Sequence, residues 1–351
     1  VKILVVSVNA PFIMGGAEIH GDSLVKALRD FGHETELVTI PFKTYPNQRI
    51  LDTMLMFRLL DVTESCGQKI DLIIPLKFPA YLTPHPNKVL WLLHQHRDAY
   101  DLWNNPVCGL AHNPDGQQFR ATIINGDNNA FAECRQIYAN SQNVAKRLKK
   151  FNNVDSIPLY HPPKNADRFH TQNPQSYFFF PSRLTKIKRQ ELVLEAIAKT
   201  HHSVKVIFAG SSDDGKYDRD LKEIAEKLGI FDRVIFLGKI SEEEKLKYYA
   251  ECLAVIYPPF DEDYGYVTLE AMLSSKPVIS CSDSGGPLEF LINQETGIIV
   301  EPNPLSLAEA MDQLWDDRTR SKIMGKNGKK HYESMNITWS NVVQKLTSIV
   351  T

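Results

Sequence analysis

The chain has 351 residues, of which 43% are hydrophobic and 23% charged, and a formal net charge of −2. That length suits two domains rather than one core, and the near-neutral balance offers no bulk field to recruit nucleic acid or an acidic membrane. Five scattered cysteines (Cys66, Cys108, Cys134, Cys252 and Cys281), without a C-x-x-C pair, argue against a disulfide framework or zinc knuckle and fit a reducing cytosol.

Residues 1–6 are expected to form a short strand rather than a signal peptide. No run of some twenty apolar residues occurs, so a soluble, cytoplasmic protein is expected. The apolar run 2–8, a loop over 9–16 with Pro11 and Gly15-Gly16, and helical spacing at Ile19, Leu24, Ala27 and Leu28 give strand, loop, helix. Gly32 stops that helix and 34–40 resumes a strand, which completes a βαβ unit. Strand-like runs follow at 72–76, 89–94 and 136–139. Ser141 then caps a helix whose basic run Lys146–Lys150 reads as a solvated face, with room for a weak touch on anionic lipid. His20, His33, His201 and His202 read as surface or loop residues.

Residues 156–174, rich in Pro, Asn and His, have the character of a linker. Beyond it the rhythm restarts, with strands at 177–181, 204–209, 234–237, 254–257 and 278–281 and helices at 190–199, 219–228 and 242–250. From 305 onward only helices are expected. The expected organisation is therefore an acceptor-side α/β domain over 1–160, a donor-binding α/β domain over 161–335, and a terminal helix over 336–351 that returns to the first domain. Ligands of doubly wound sheets sit at the carboxyl ends of strands, so a central cleft faced by both domains is the expected place for chemistry.

The strongest signal is the run from Pro258 to Glu270. A helix is expected to open just after Gly265, so free N–H groups of Gly265, Tyr266 and Val267, helped by the helix dipole, can face a diphosphate. Glu262 precedes the turn and Glu270 lies inside an amphipathic helix over 268–273. Two carboxylates beside an anion site make sense if they accept hydrogen bonds from hydroxyls of a sugar and a ribose.

Glu262 and Glu270, with seven residues between them and Gly265 inside, resemble the E-x7-E motif of retaining glycosyltransferases of the GT-B fold, family four. Gly15-Gly16-Ala17-Glu18 resembles the family's first-domain glycine loop, and Ser182-Arg183-Leu184 with Lys188 its G-R-L-x-x-x-K segment. Gly210 ends the next strand, and Gly285-Gly286 with Glu289 and Thr296-Gly297 resembles the acceptor-side loop and a late turn. The resemblance covers nearly the whole chain. Ser182 and Arg189 stand where the family has glycines, and the linker lacks an N-G-V-D segment.

The resemblance implies a GT-B fold of two Rossmann-like domains and a set of roles. Arg183 and Lys188 would pair with the donor diphosphate and stabilise the departing nucleotide. Glu262 would hold the transferred sugar and Glu270 the ribose. Backbone near Lys239 and Ile240 would meet the base, and Gly15 and Gly16 would let backbone approach phosphate. His94 would lie near the reacting carbon, with His96 the alternative if the segment stays extended. No metal and no cofactor beyond the nucleotide-sugar donor is implied. The expected activity is retaining transfer of a hexose, from UDP-glucose first or GDP-mannose second, to a glycan or lipid-linked sugar in polysaccharide biosynthesis; a lipid-linked acceptor would put it at the inner face of the membrane. The rivals are a sugar-nucleotide 2-epimerase on the same fold, a glycogen-synthase-like polymerase (whose K-T-G-G-L lysine the loop 11–16 lacks), and a non-catalytic nucleotide-binding subunit.

Overall fold

The computed structural model describes residues 1–12, 15–106, 108–212 and 215–350, so Ile13 and Met14 of the glycine loop, and Thr351, lie outside the described residues. The chain forms two compact units: Val1–Lys164 together with the end of the chain from Thr338, and Asn165–Ile337.

In the first unit the strand Lys2–Asn9 runs parallel to Glu34–Pro41 on one side and to Leu72–Pro75 on the other. A second parallel group comprises Val89–Leu92, Gln136–Ala139 and Ile157–Pro158. A parallel bridge between Ile73 and Lys88 joins the groups, and the Leu93 N–H donates to the Leu76 carbonyl at 2.7 Å. Leu72–Pro75 and Val89–Leu92 are buried at every position. Such unbroken apolar runs belong to parallel strands covered on both faces. One cover contains Leu24, Val25 and Leu28 of the helix Gly16–Asp30, and Val342, Val343 and Leu346 of the terminal helix Trp339–Thr347. The Thr338 hydroxyl caps that terminal helix by accepting from Asn341 N. The other cover brings Ile50, Met54 and Phe57 of Gln48–Leu59 against Ile123 and Phe131 of Gly116–Ala132.

The second unit holds six parallel strands in the order Val234–Phe236, Val206–Ala209, Phe178–Pro181, Ala254–Ile256, Val278–Cys281 and Gly297–Val300. The chain starts at Phe178–Pro181, winds outward on one side, then crosses to Ala254–Ile256 and winds outward on the other. Its direction reverses between these two adjacent strands, and ligands of open α/β sheets bind at the carboxyl ends beside that reversal. The loops 182–188 and 257–265 leave the sheet at that place.

Four expectations need correction. Thr296-Gly297 is not simply a late turn, because Gly297 opens the edge strand; a Cβ there would stand 2.3 Å from the Val278 carbonyl oxygen. The helix after Gly265 spans Tyr266–Leu273 and is buried from Val267 to Leu273, so it is not amphipathic. The sheet covers one side of it and the helix Arg318–Ser334 packs on it as well. Arg147 leaves the solvated face: it is 5% exposed and ion-paired with Asp101 at 3.5 Å, while Lys146, Lys149 and Lys150 stay exposed. His20 is a core residue, 1% exposed, whose Nδ1 lies 2.9 Å from His161 Nε2 beside Trp91.

Candidate functional site

Phe178–Pro181 ends in Ser182-Arg183, and the chain then makes a tight turn over Lys186–Lys188. This turn places the Lys188 ammonium, its side chain 14% exposed, against the Glu262 carboxylate, at 22% exposure. Lys188 also donates to the Tyr257 hydroxyl at 3.0 Å. Burial draws the lysine pKa down, but the charges of Glu262 and Tyr257 outweigh it and hold the ammonium above the ordinary lysine value. Arg183 sits on the same loop with an exposed side chain. A fixed ammonium and an outward guanidinium at the carboxyl edge suit phosphate oxygens.

The Glu262 loop is held by backbone bonds on two sides. Phe260 N–H donates to Ile187 O at 2.8 Å, Asp261 and Glu262 N–H donate to Asp283 and Ser284 O at 2.9 Å each, and Gly286 N–H donates to Glu262 O at 2.8 Å. Gly265, at φ +92, caps the helix Tyr266–Leu273; a Cβ there would lie 2.7 Å from Pro287 Cγ. Gly286 faces the same turn from the other loop, where its Cβ would meet the Asp263 carbonyl oxygen at 2.7 Å. Gly285-Gly286 thus buttresses the Glu262 turn. Gly265, Tyr266 and Val267 present their N–H groups at the helix start, where a helix attracts an anion.

Arg189 occupies a family glycine position at φ +60, a left-handed conformation that glycine adopts freely. Its guanidinium meets both carboxylate oxygens of Asp283 at 2.6 Å and lies 5.1 Å from the Phe260 ring centroid. That anchoring offsets the backbone cost and ties the Lys186–Lys188 turn to the loop behind Glu262.

Glu270 belongs to a neighbouring cluster. Its Oε1 accepts from Lys245 at 3.0 Å and its Oε2 from the Tyr249 hydroxyl at 2.7 Å. Burial opposes the charge on Lys245, yet Glu270 and then Glu242 hold its pKa above the ordinary value. Tyr257 links the clusters: burial first, then the charge of Glu262, raise its pKa, and Glu270 acts in the same direction. Lys245, Tyr249 and Tyr257 escaped the sequence reading. Their local signals are a helix-face pair at i and i+4, and an aromatic residue just past a strand end.

Gly210 has a structural reason for being glycine: at φ +139 its Cβ would stand 2.0 Å from the Ser182 carbonyl oxygen. It therefore sets the spacing of the Ser182-Arg183 loop whether or not it meets a ligand. Lys239 is exposed and Ile240 half-buried, just ahead of the Ser241-capped helix Glu242–Glu251.

In the first unit, Gly15 caps the helix that begins at Gly16, and its N–H donates to Glu18 Oε2 at 3.0 Å. Glu18 also pairs with Lys77 at 3.3 Å. A cavity of about 390 Å³ lies at the carboxyl end of Lys2–Asn9, with Asn9, Phe12, Ala17 and Glu18 in its wall. His94 follows the strand Val89–Leu92 and is half-buried, its Nδ1 2.8 Å from the Gln95 carbonyl oxygen. The segment does not stay extended. His96 leads a short turn over Arg97–Ala99 and stacks on Phe78 at 5.2 Å, its Nε2 buried. Burial lowers its pKa to about 4.

Residues 163–331, which lie almost wholly in the second unit, match the family glycosyl transferases group 1. The chain is 31% identical over 225 residues to the alpha-1,3/1,6-mannosyltransferase ALG2 of Dictyostelium discoideum, an alignment covering 59% of this chain and 52% of that protein. The chain thus spans about half the length of that relative. It is 26% identical to the uncharacterized glycosyltransferase MJ1607 of Methanocaldococcus jannaschii, across 97% of this chain and 95% of that one. Sucrose-phosphate synthase from Thermosynechococcus elongatus superposes with a TM-score of 0.81 at 17% identity, covering 99% of this chain and 98% of that chain. The fold is that of the GT-B glycosyltransferases, with two Rossmann-like α/β units.

Proposed function

We propose that the chain is a retaining hexosyltransferase that uses a nucleotide-sugar donor held by the second unit. The observation that carries this reading is the placement of Lys188, Tyr257 and Glu262 at the sheet's reversal point, beside the exposed Arg183 and the N-terminus of Tyr266–Leu273. In this reading Arg183, Lys188 and the N–H groups of Gly265, Tyr266 and Val267 receive the diphosphate. Glu262 then turns from Lys188 toward sugar hydroxyls, and Glu270 accepts from the ribose. The roles of Gly15, Gly16, His94, Gly210, Lys239 and Ile240 rest on the family resemblance. The mannosyltransferase relative supports mannose as the transferred sugar; GDP-mannose or UDP-glucose as donor, and a glycan or lipid-linked sugar as acceptor, rest on the family resemblance.

Retention by double displacement needs a carboxylate beneath the anomeric carbon. Glu262 and Glu270 are assigned instead to hydroxyls. The acceptor oxygen would attack from the face that the diphosphate leaves; the carbon–phosphate oxygen bond breaks, and a phosphate oxygen takes the acceptor's proton. Lys188 and Arg183 stabilise the charge that grows on that phosphate, which removes the need for a divalent metal.

A thermal-shift panel of nucleoside diphosphates and nucleotide sugars, with and without chelator, tests the reading. A ligand that prefers the native state raises its stability. One donor should raise Tm equally in both buffers, and the Lys188→Ala variant should lose the shift. A flat panel, or a shift that needs magnesium or manganese, contradicts it.

A further inference from the structure

The second unit has a charged cavity at the end of its sheet opposite Lys188 and Glu262. It measures about 370 Å³, and Gln172, Ser275, Lys276, Lys322 and Lys326 contribute to its wall. Leu253 and Pro277, also in the wall, directly precede the strands Ala254–Ile256 and Val278–Cys281, so the cavity opens at the strands' amino ends. Lys188 and Glu262 follow carboxyl ends, so the two places are separate.

The backbone is shaped to bring three lysines there. Lys322 and Lys326 lie one turn apart on the helix Arg318–Ser334 and so share a face. Between them, a Cβ on Gly325 would stand 2.0 Å from the Ser275 carbonyl oxygen and 3.1 Å from Lys276 N. Only a glycine lets the helix approach that turn so closely. Ser275 itself adopts φ +53, and Lys276 N–H donates to Ala271 O at 2.9 Å, closing the helix Tyr266–Leu273. Lys276 is 3% exposed, and its ammonium donates to the Gln172 carbonyl at 3.3 Å. An ammonium has three donors, and among the described residues that long bond is the one Lys276 makes. Burial lowers its pKa; Lys322 adds to this, while Cys252 and Glu251 oppose it. Glu251 is engaged elsewhere, its Oε2 accepting from Gln175 at 2.8 Å.

We propose that this cavity binds a phosphate group, through Lys276 at its base and Lys322 and Lys326 at its mouth. Three cations exceed what one carboxylate would balance, and ammonium groups serve phosphate as point charges. The phosphate is either free, as phosphate or pyrophosphate, or part of an anionic lipid headgroup. Glu270 lies on the helix Tyr266–Leu273, and a ligand here touches Ser275 and Lys276 in the turn that directly follows that helix.

Calorimetric titration of the whole chain with inorganic pyrophosphate tests the proposal. Two classes of site are expected. Lys188→Ala should weaken one, and the double variant Lys322→Gln/Lys326→Gln should weaken the other at least tenfold; both replaced lysines are exposed, so the fold is not at stake. Lys276→Met should act on the same class as the double variant. Flotation with phosphatidate vesicles assigns the source: lysine-dependent flotation indicates a headgroup, and pyrophosphate binding without flotation indicates free phosphate. Pyrophosphate isotherms and flotation both unchanged by the lysine variants would overturn the proposal.

Discussion

The pair Lys188–Glu262 offers a double-mutant cycle whose magnitude follows from its surroundings. A hydrogen bond to a charged group contributes about 1.5–3 kcal/mol, and removing one partner of a fully buried pair costs about 3–5 kcal/mol. Here the side chains keep 14% and 22% exposure, so solvent relieves part of the penalty for the charge left behind. Lys188→Met and Glu262→Gln should each destabilise the second unit by about 2 kcal/mol. The double variant leaves neither charge stranded, so it should cost about as much as one single variant, a coupling of about 2 kcal/mol. Turnover should not show this recovery. Losing a donor to the growing charge costs about 3 kcal/mol, a rate loss of roughly a hundredfold, whether or not Glu262 is present. A chain of two units need not unfold in one step, so hydrogen exchange in the strand Phe178–Pro181 is the suitable stability measure. Additivity within about 0.5 kcal/mol would refute the pairing, and recovery of turnover in the double variant would refute the role given to Lys188.

Three further outcomes can be checked. Gly265→Ala must hold φ +92 and push against Pro287, so about 1–3 kcal/mol of stability and most of the donor-induced thermal shift should go; an unchanged shift would free the helix start from the donor. Glu270→Gln loses its ion pair with Lys245, so calorimetry should find free nucleotide and donor weakened by a similar factor, whereas a loss confined to the donor would move Glu270 to the sugar. Burial, with Lys77 adding, depresses the His20 pKa from the ordinary 6.5 to about 3, so the folded first unit resists a proton that the unfolded chain accepts. The stability from neutral His20 is complete above pH 6.5 and is lost as pH falls toward 3, at about 1.4 kcal/mol per unit. Replacement by Phe should flatten Tm against pH over that window, and an unaltered slope would contradict the assignment.

Much of the architecture is legible as pattern. Phe178-Phe179-Phe180, Leu72-Ile73-Ile74 and Val278-Ile279 are short apolar runs bounded by turns, and parallel strands covered on both faces produce such runs. The helix Gln48–Leu59 is not legible in this way. Ile50, Thr53, Met54 and Phe57 have helical spacing, but exposed Leu55, Met56 and Leu59 blur the period. Thr296-Gly297 resembles a late turn of the family, whereas here Gly297 marks a close strand contact. In the candidate site, Lys188 and Glu262 could be named from motif order, yet their direct contact across 74 positions could not. The buried pair of His20 and His161, 141 positions apart, has no local pattern at all. Arg189 is the instructive departure: a non-glycine at positive φ, kept there by Asp283 and Phe260, which no spacing rule in the sequence announces.

The central claim, transfer from a nucleotide sugar with retention, is tested most directly by proton NMR of the intact chain turning over GDP-mannose or UDP-glucose. The account predicts release of the nucleoside diphosphate from one of these donors, in chelator, with the first-formed sugar product in the α configuration of the donor. The result that would contradict it is consumption of neither donor, or a first-formed product of inverted configuration.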